Sequence, residues 1–310
     1  MRKPEQLSDT KSMPYSSVPE NKALWKKLRL YLEKEYPCII CGSNKFESWA
    51  KEIYLEAKRC LKCGMISVNP HFSEEGLNEL YSEYFAYRQD DLIKKQQRDI
   101  AYLIDRDWVY LFIREGKVLD VGCSGGFFLS KFSPENWDRF GVEIVSDAAE
   151  YAMSNFGISV RVGNILEIDF AERFDLVMLR GAIEHFRDPI SVLEKCCKLL
   201  KPGGYLFITA TPAGDSFAFE VYRRKWSLFT PLEHIHFFSV KLLSKVLNDY
   251  GVSLISHHYQ YEETPYANPP QDYKKIQQDI ALVMQEDRDK ITGSVPFPGS
   301  MITALWKKTS

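Results

Sequence analysis

Two cysteine pairs, Cys38-Ile39-Ile40-Cys41 and Cys60-Leu61-Lys62-Cys63, stand 18 residues apart, and glycine follows each, at Gly42 and Gly64. Four thiolates at this spacing suit a tetrahedral zinc ion of the closed, structural kind, with no coordination position left for a substrate. A redox pair needs only one CxxC, and disulfides are rare where thiols are kept reduced, so structural zinc at Cys38, Cys41, Cys60 and Cys63 is the expectation. A second group is Glu184-His185 with Glu233-His234-Ile235-His236. Imidazoles titrate near neutrality and serve as general bases, which makes His185, His234 and Glu184 the candidates for proton transfer. An HxH pair on an extended strand would put both rings on one face, where Glu233, His234 and His236 could hold a metal ion. No carboxylate cluster lies nearby in sequence, so proton transfer is preferred. Third, Val118-Leu119-Asp120 runs into Gly122, Gly125 and Gly126, then into Phe127-Phe128-Leu129: strand, glycine turn, start of a helix. Glycines let a backbone turn tightly and approach a ligand. Asp120 falls at the carboxyl end of its strand, where open α/β sheets bind ligands. Alone, such a turn is also an ordinary βα corner.

Position is supplied by the elements that follow. Phe140–Glu143 reads as a second strand ending in an acid of the kind that holds ribose hydroxyls. Val160–Asn164 and Phe174–Leu179 read as a third and fourth strand. A helix over Ala148–Asn155 stops at Gly157, another over Ile190–Leu200 stops at Lys201-Pro202-Gly203-Gly204, and a fifth strand spans Tyr205–Ala210. Ser239–Tyr250 is a helix with Ser239 as cap, and Val252–Tyr259 and Met301–Trp306 are the last strands. Alternating strand and helix imply a mostly parallel sheet with helices on both faces.

In this order the motifs DVGCSGG (Asp120–Gly126), Glu143, Asn164, Asp175, EHFRDP (Glu184–Pro189) and LKPGG (Leu200–Gly204) resemble the class I S-adenosylmethionine-dependent methyltransferases over about residues 115–310. Two departures are visible: Ser124 replaces the commoner middle glycine, and Asn164 stands where the family more often has Asp. The resemblance implies an α/β, Rossmann-like, seven-stranded sheet and S-adenosylmethionine as cofactor. It places Asp120, Gly122, Cys123, Ser124 and Gly126 in the cofactor loop, Glu143 on the ribose, and Asn164 and Ile165 at the adenine edge. Arg180, closing strand four, is a further cofactor contact, and Arg98 a candidate for the methionine carboxylate. As residue types, Cys123 and Cys196-Cys197 read equally as small buried apolar side chains.

The run CxxCG, an apolar strand, Asn69-Pro70, then Tyr81-x-x-Tyr84-Phe85 resembles a subgroup (methyltransferase domain type 23-like) in which a small N-terminal zinc ribbon precedes the catalytic domain. There this segment lies over the cofactor, so Tyr81, Tyr84 and Phe85 line the pocket or pack the ribbon on the main domain. Pro231–Ser239 fits the subgroup's P-x-E-H-x-x-x-F-S element. The aromatic stretch Phe217–Phe229 before it reads as a lid, with Arg223, Arg224 and Lys225 either binding an acceptor anion or lying on the surface. The expected organisation is a tail and helix over 1–36, the ribbon over 37–72, a helical connector over 73–114 and the catalytic domain over 115–310. The catalytic domain has insertions at about 213–238 and 262–299. The second, with amphipathic Tyr273–Met284, suits a substrate pocket or a homodimer interface.

Bulk properties restrict the partners. A net charge of −2 over 310 residues gives no global pull toward nucleic acid. No apolar run approaches the ~20 residues of a membrane span, and no leader sequence is evident, so a cytoplasmic location is expected. Residues 1–20 are polar and proline-containing, and Asn21–Tyr36 reads as a helix whose lysines are a solvated face or meet an anionic partner. Methyl transfer from a sulfonium is an in-line displacement that relies on positioning and exclusion of water, with a base for an O- or N-acceptor. The acceptor expected from the subgroup is a small molecule, a sugar or a glycan precursor. Relatives that methylate sugar carbon carry a further C-terminal domain, so O or N is preferred. Ribosomal RNA is the alternative acceptor, and a non-catalytic scaffold the alternative class.

Overall fold

The structure, a computed structural model, describes residues 22–81 and 92–309. Tyr84 and Phe85 lie outside the described residues. Two uninterrupted apolar runs found the main sheet. β4 (Gly116–Val121) and β7 (Phe174–Arg180) bury Val118, Leu119, Val121, Leu176, Val177, Met178 and Leu179 completely, on both faces. That is the pattern of central parallel strands. β5 (Trp137–Glu143), β6 (Ser159–Val162) and β8 (Leu200–Pro212) flank them in parallel. β10 (Val252–His258) and β11 (Met301–Lys308) add antiparallel at the other edge, giving the seven-stranded order β10-β11-β8-β7-β4-β5-β6. This is the α/β, Rossmann-like sheet expected from the motifs.

The helices end where their caps dictate. Helix Pro189–Leu199 starts at Asp188, whose carboxylate accepts the Ser191 N–H at 3.0 Å. Helix Ser146–Phe156 closes on left-handed Gly157, whose N–H returns to Met153. Ser239 caps helix Val240–Asn248 through Leu242 N–H at 3.2 Å.

Three expectations change. The chain after Gly126 makes only a 3₁₀ turn, Leu129–Lys131, in place of a helix. Phe127 packs on Tyr151 and Phe156, while Phe128, Leu129 and Phe132 are buried in the core against which Phe156 also packs. Pro134 also bars helical geometry at the residue before it. The N-terminal helix stops at Leu28, continues as a 3₁₀ turn over Arg29–Tyr31 and then extends; Trp25 and Leu28 are buried on the ribbon and Pro37 sets an extended approach. The helix of the second insertion begins at Pro269, not Tyr273, because prolines at the first helical positions lose no hydrogen bond.

The cysteine region forms β1 (Phe46–Glu52), β2 (Leu55–Cys60) and β3 (Ile66–Val68), and its sheet takes a fourth strand, β9 (His236–Phe237), from the far half of the chain. A second core forms between them from Trp49, Leu55, Phe72, Phe219, Trp226 and Phe237. Most of 217–229, expected as a lid, is therefore docking surface, while Ser227 and Leu228 line a cavity of the main domain. The Arg223 guanidinium lies 3.4 Å from the centroid of the Trp49 ring and pairs with Glu220, and Lys225 donates to the carbonyls of Arg288 and Asp289. Neither cation is aimed at an acceptor. Among the described residues, no helix is long and apolar enough to cross a membrane.

Candidate cofactor and acceptor site

The glycine turn between β4 and the 3₁₀ turn is shaped by backbone need. Gly126 has φ +72°, and a Cβ there would stand 2.8 Å from Ala152 Cβ. Ser124 adopts φ 48°, so the residue replacing the usual glycine accepts a left-handed conformation. Its N–H donates to Glu143 Oε2 at 2.8 Å, while Glu143 Oε1 accepts from Val145 N–H at 2.9 Å. The acid at the end of β5 thus ties the turn to the next loop. Cys123 turns inward: its Sγ would be 2.5 Å from a Cβ on Gly141, so it fills the gap that a glycine in β5 leaves. Burial raises its thiol far above the ordinary range, and the carboxylates of Asp120 and Glu143 add to this.

A cavity of about 160 Å³ opens beside this turn, lined by Gly122, Ser124, Glu143, Ile144, Ala148, Gly163 and Ile165, with Tyr81, His185 and Phe186 opposite. Asn164 is not on its wall: its side chain accepts from Leu166 N–H at 3.0 Å and donates to Glu74 at 3.3 Å. The turn after β6 presents Ile165 instead, since Asn164 is occupied in closing that turn.

A larger cavity, about 620 Å³, continues from Gly122, Cys123 and Ser124 toward Arg98, Tyr102, Gln260, Tyr266, Phe297 and Met301. Asp120 lies at their junction, 2 % exposed, and its Oδ1 has no hydrogen-bond partner among the described residues. Burial pushes its carboxyl up to about 7; Arg180 opposes this and Glu143 adds to it. Arg180 is held by Asp105 at 2.7 Å, with its guanidinium 4.4 Å from the Tyr102 ring centroid. Asp105 also accepts from Thr209 at 3.0 Å and Gln260 at 2.8 Å. This buried network was not evident in the sequence, because its members come from four separate elements.

Glu184, His185 and His234 converge on the same cavity, with their ligating atoms within 4.8 Å of one another. Glu184 is 1 % exposed, and burial lifts it to about 8 against its own backbone N–H, the Thr211 hydroxyl at 3.0 Å and Arg180. His185 Nδ1 is 2.9 Å from the Tyr81 hydroxyl and its Nε2 4.0 Å from Glu184. The rings of His185 and His234 stand edge to face at 4.9 Å. His234 Nδ1 lies 2.9 Å from the Leu228 carbonyl. The Thr230 hydroxyl stands 3.0 Å from the same nitrogen, and the Nδ1–H tautomer is the one that serves the carbonyl, which only accepts, with Nε2 then the basic nitrogen.

His236 takes no part. It is fully buried, 3.0 Å from the Ser67 hydroxyl through Nδ1, and burial lowers it to about 4. The shared face expected for an HxH pair fails because His234 belongs to a turn closed on Thr230 and the strand begins only at His236. Glu233 is buried and is not among the residues lining either cavity.

The four cysteines of the ribbon come together as their spacing predicts. Sγ–Sγ distances are 3.5 Å for Cys38–Cys63 and 3.6 Å for Cys41–Cys60. Four sulfurs around one zinc at about 2.3 Å stand about 3.8 Å apart, so the set fits that ion. Gly42 and Gly64, both at positive φ, return their N–H groups to Cys38 and Cys60. The Cys60 thiol is lowered to about 7: burial raises it, but the N–H groups of Cys63 and Lys62 and the neighbouring Cys41 outweigh that.

A parallel sheet with an antiparallel hairpin at one edge, and a glycine turn and strand-end acid on the wall of a cavity, define a class I S-adenosylmethionine-dependent methyltransferase fold. Residues 90–257 match the methyltransferase-domain family, and the chain belongs to it. It is 32% identical over 104 residues to the ubiquinone biosynthesis O-methyltransferase of Actinobacillus pleuropneumoniae, covering 30% of this chain and 44% of that protein. It is 27% identical over 170 residues to the enzyme of the same name from Cereibacter sphaeroides, covering 51% of this chain and 64% of the other. The matched region spans less than half the length of the first of these relatives. The fold is also that of a S-adenosylmethionine-dependent methyltransferase of Thermotoga maritima, with TM-score 0.51 and 17% identity over 75% of this chain and all of the other.

Proposed function

We propose that the chain methylates an oxygen or nitrogen of a small acceptor, with His234 as the proton acceptor and Glu184 and His185 beside it. S-adenosylmethionine supplies the methyl group as an electrophile. Glu143, at the end of β5 and on the wall of the smaller cavity, would take the ribose hydroxyls. The orphaned Oδ1 of Asp120 asks for a donor at the junction of the two cavities, and Arg180 and Arg98 are the cations able to meet a carboxylate. Gly122, Gly126 and Ser124 let the loop approach, and Ile165 packs at the base in place of Asn164, while Cys123 supports the loop from behind. The single observation that carries the reading is the place of His234: it lines the cavity that adjoins the glycine turn, with Nδ1 2.9 Å from the Leu228 carbonyl, a contact that favours Nδ1–H and Nε2 as the base. A proton leaving the acceptor passes to that nitrogen. The nearby Glu184, kept protonated by burial, adds no competing charge.

O-methylation is the favoured outcome, in keeping with the names of the relatives. The acceptor is a small molecule or a glycan precursor of a size the larger cavity admits. The cysteine ribbon would hold one structural zinc ion, as the four sulfur positions fit it. The test is turnover, read as S-adenosylhomocysteine release, across phenols, sugars and small amines. Replacing His234→Asn is expected to lower kcat by about 10²–10⁴ with cofactor affinity unchanged. Full turnover in that variant sinks the assignment.

A further inference from the structure

The segment that carries His234 is a part of the ribbon sheet. Directly after His234, β9 adds to β3 in antiparallel register, Ile66 opposite Phe237 and Ser67 opposite His236. Ile235 is bound from both sides: its carbonyl accepts from Val68 N–H at 2.8 Å, and its N–H donates to the Glu184 carbonyl at 2.8 Å. Ser67 bonds the His236 ring at 3.0 Å, and His71 Nε2 lies 3.0 Å from the Pro231 carbonyl. The ribbon thus grips residues 231–237 at four places, on either side of His234. β3 itself has only three residues, and it is tied into the hairpin with β2 by the turn Cys60–Met65, which is one of the two cysteine knuckles. A strand this short has little stability of its own.

We infer that the cysteine ribbon is the positioning element of the active site: closing the four-cysteine site fixes β3, and β3, through Val68, Ser67 and His71, fixes the backbone on which His234 stands. β4, β5 and β6, which build the glycine turn and the Glu143 side of the cofactor cavity, hydrogen-bond to one another and to β7 and share no ladder with the ribbon strands. Metal loss therefore uncouples His234 while sparing most of the cofactor contacts. This rests on the reading of His234 as proton acceptor, but its test uses no acceptor. Failure of the His234→Asn experiment and failure of this one are separate results.

The experiment takes the full chain, labelled with ¹⁵N and its zinc content measured, before and after treatment with a chelator. Removing the metal is expected to raise amide exchange at Val68 and Ile235 by at least about tenfold, with Leu119 and Val177 unchanged. The Nδ1–H resonance of His234 should disappear, and affinity for S-adenosylhomocysteine should stay within about threefold. The variant Ser67→Ala, which leaves every cysteine in place, is expected to keep one zinc per chain and native affinity, yet to shift that resonance. Retained protection at Val68 and Ile235 after chelation overturns the inference. So does loss of protection at all four amides together, or a Ser67→Ala spectrum that coincides with the native one at His234. A native chain free of metal also overturns it.

Discussion

Removing the Glu143 carboxylate is the sharpest perturbation of the cofactor site. In Glu143→Ala two hydrogen bonds within the protein go, from Ser124 N–H at 2.8 Å and Val145 N–H at 2.9 Å, and with them the acceptor proposed for both ribose hydroxyls. A hydrogen bond to a charged group is worth ~1.5–3 kcal/mol. Two lost to the ribose give ~3–6 kcal/mol, or a Kd raised by about 10²–10⁴. Glu143 is half-buried, so the two freed N–H groups reach water and the chain should remain folded. Calorimetric titration with S-adenosylhomocysteine measures the loss, and thermal unfolding of the same sample shows that the fold persists. Glu143→Gln keeps one acceptor oxygen and should lie between native and Ala. An affinity unchanged in Glu143→Ala would remove the ribose from this position and refute the placement of the cofactor cavity. A loss found only with collapse of the fold would refute the claim that the carboxylate acts on ligand.

Asp120→Asn is expected to stabilise the ligand-free chain at pH 8 while weakening cofactor binding. Burial raises the folded-state carboxyl to about 7, above its unfolded value, so its contribution is present below ~4 and lost as pH rises through 7. Abolishing that cost is worth a few kcal/mol, or about 5–10 °C in Tm, read by scanning calorimetry at pH 5 and pH 8. His236 runs the other way: its folded value is lowered to about 4, so the neutral, buried ring favours the native state above ~6.5 and loses that advantage as pH falls toward 4. His71, lowered to about 3, adds to the same window. Acid unfolding between pH 6.5 and 4 should therefore expose the ribbon seam first, seen as early loss of exchange protection at Val68; simultaneous loss at Val68 and Leu119 would speak against it.

Part of this site was readable along the chain. The four cysteines lie in two local knuckles, and the glycine turn, Glu143 and the Glu184-His185 pair each sit at the end of an apolar run whose strand character is plain. Asn164, expected at the adenine edge, has a type that suits both an adenine contact and a turn closure, and its bonds to Leu166 and Glu74 serve the second. The helix expected after Gly126 failed although apolar residues at 127, 128, 129 and 132 fit a helical face: the chain buries them through a 3₁₀ turn, and Pro134 bars helical geometry at the residue before it. Arg223 and Lys225 were equally ambiguous until Trp49 and the carbonyls of Arg288 and Asp289 were found beneath them.

Local pattern along the chain carries the alternation of strand and helix, the cap at Ser239 and the stop at Gly157, the thiol knuckles and the strand-end acids. These depend on residues a few positions apart. Only the tertiary structure decided that β9 belongs to the ribbon sheet, that His234 and His236 part company, and that Asp105, Arg180, Thr209 and Gln260 form one buried network. Those side-chain pairings join residues 75 to 169 positions apart. Their partners are selected by burial and by the need to satisfy every buried polar group, and neither condition exists until the chain has folded.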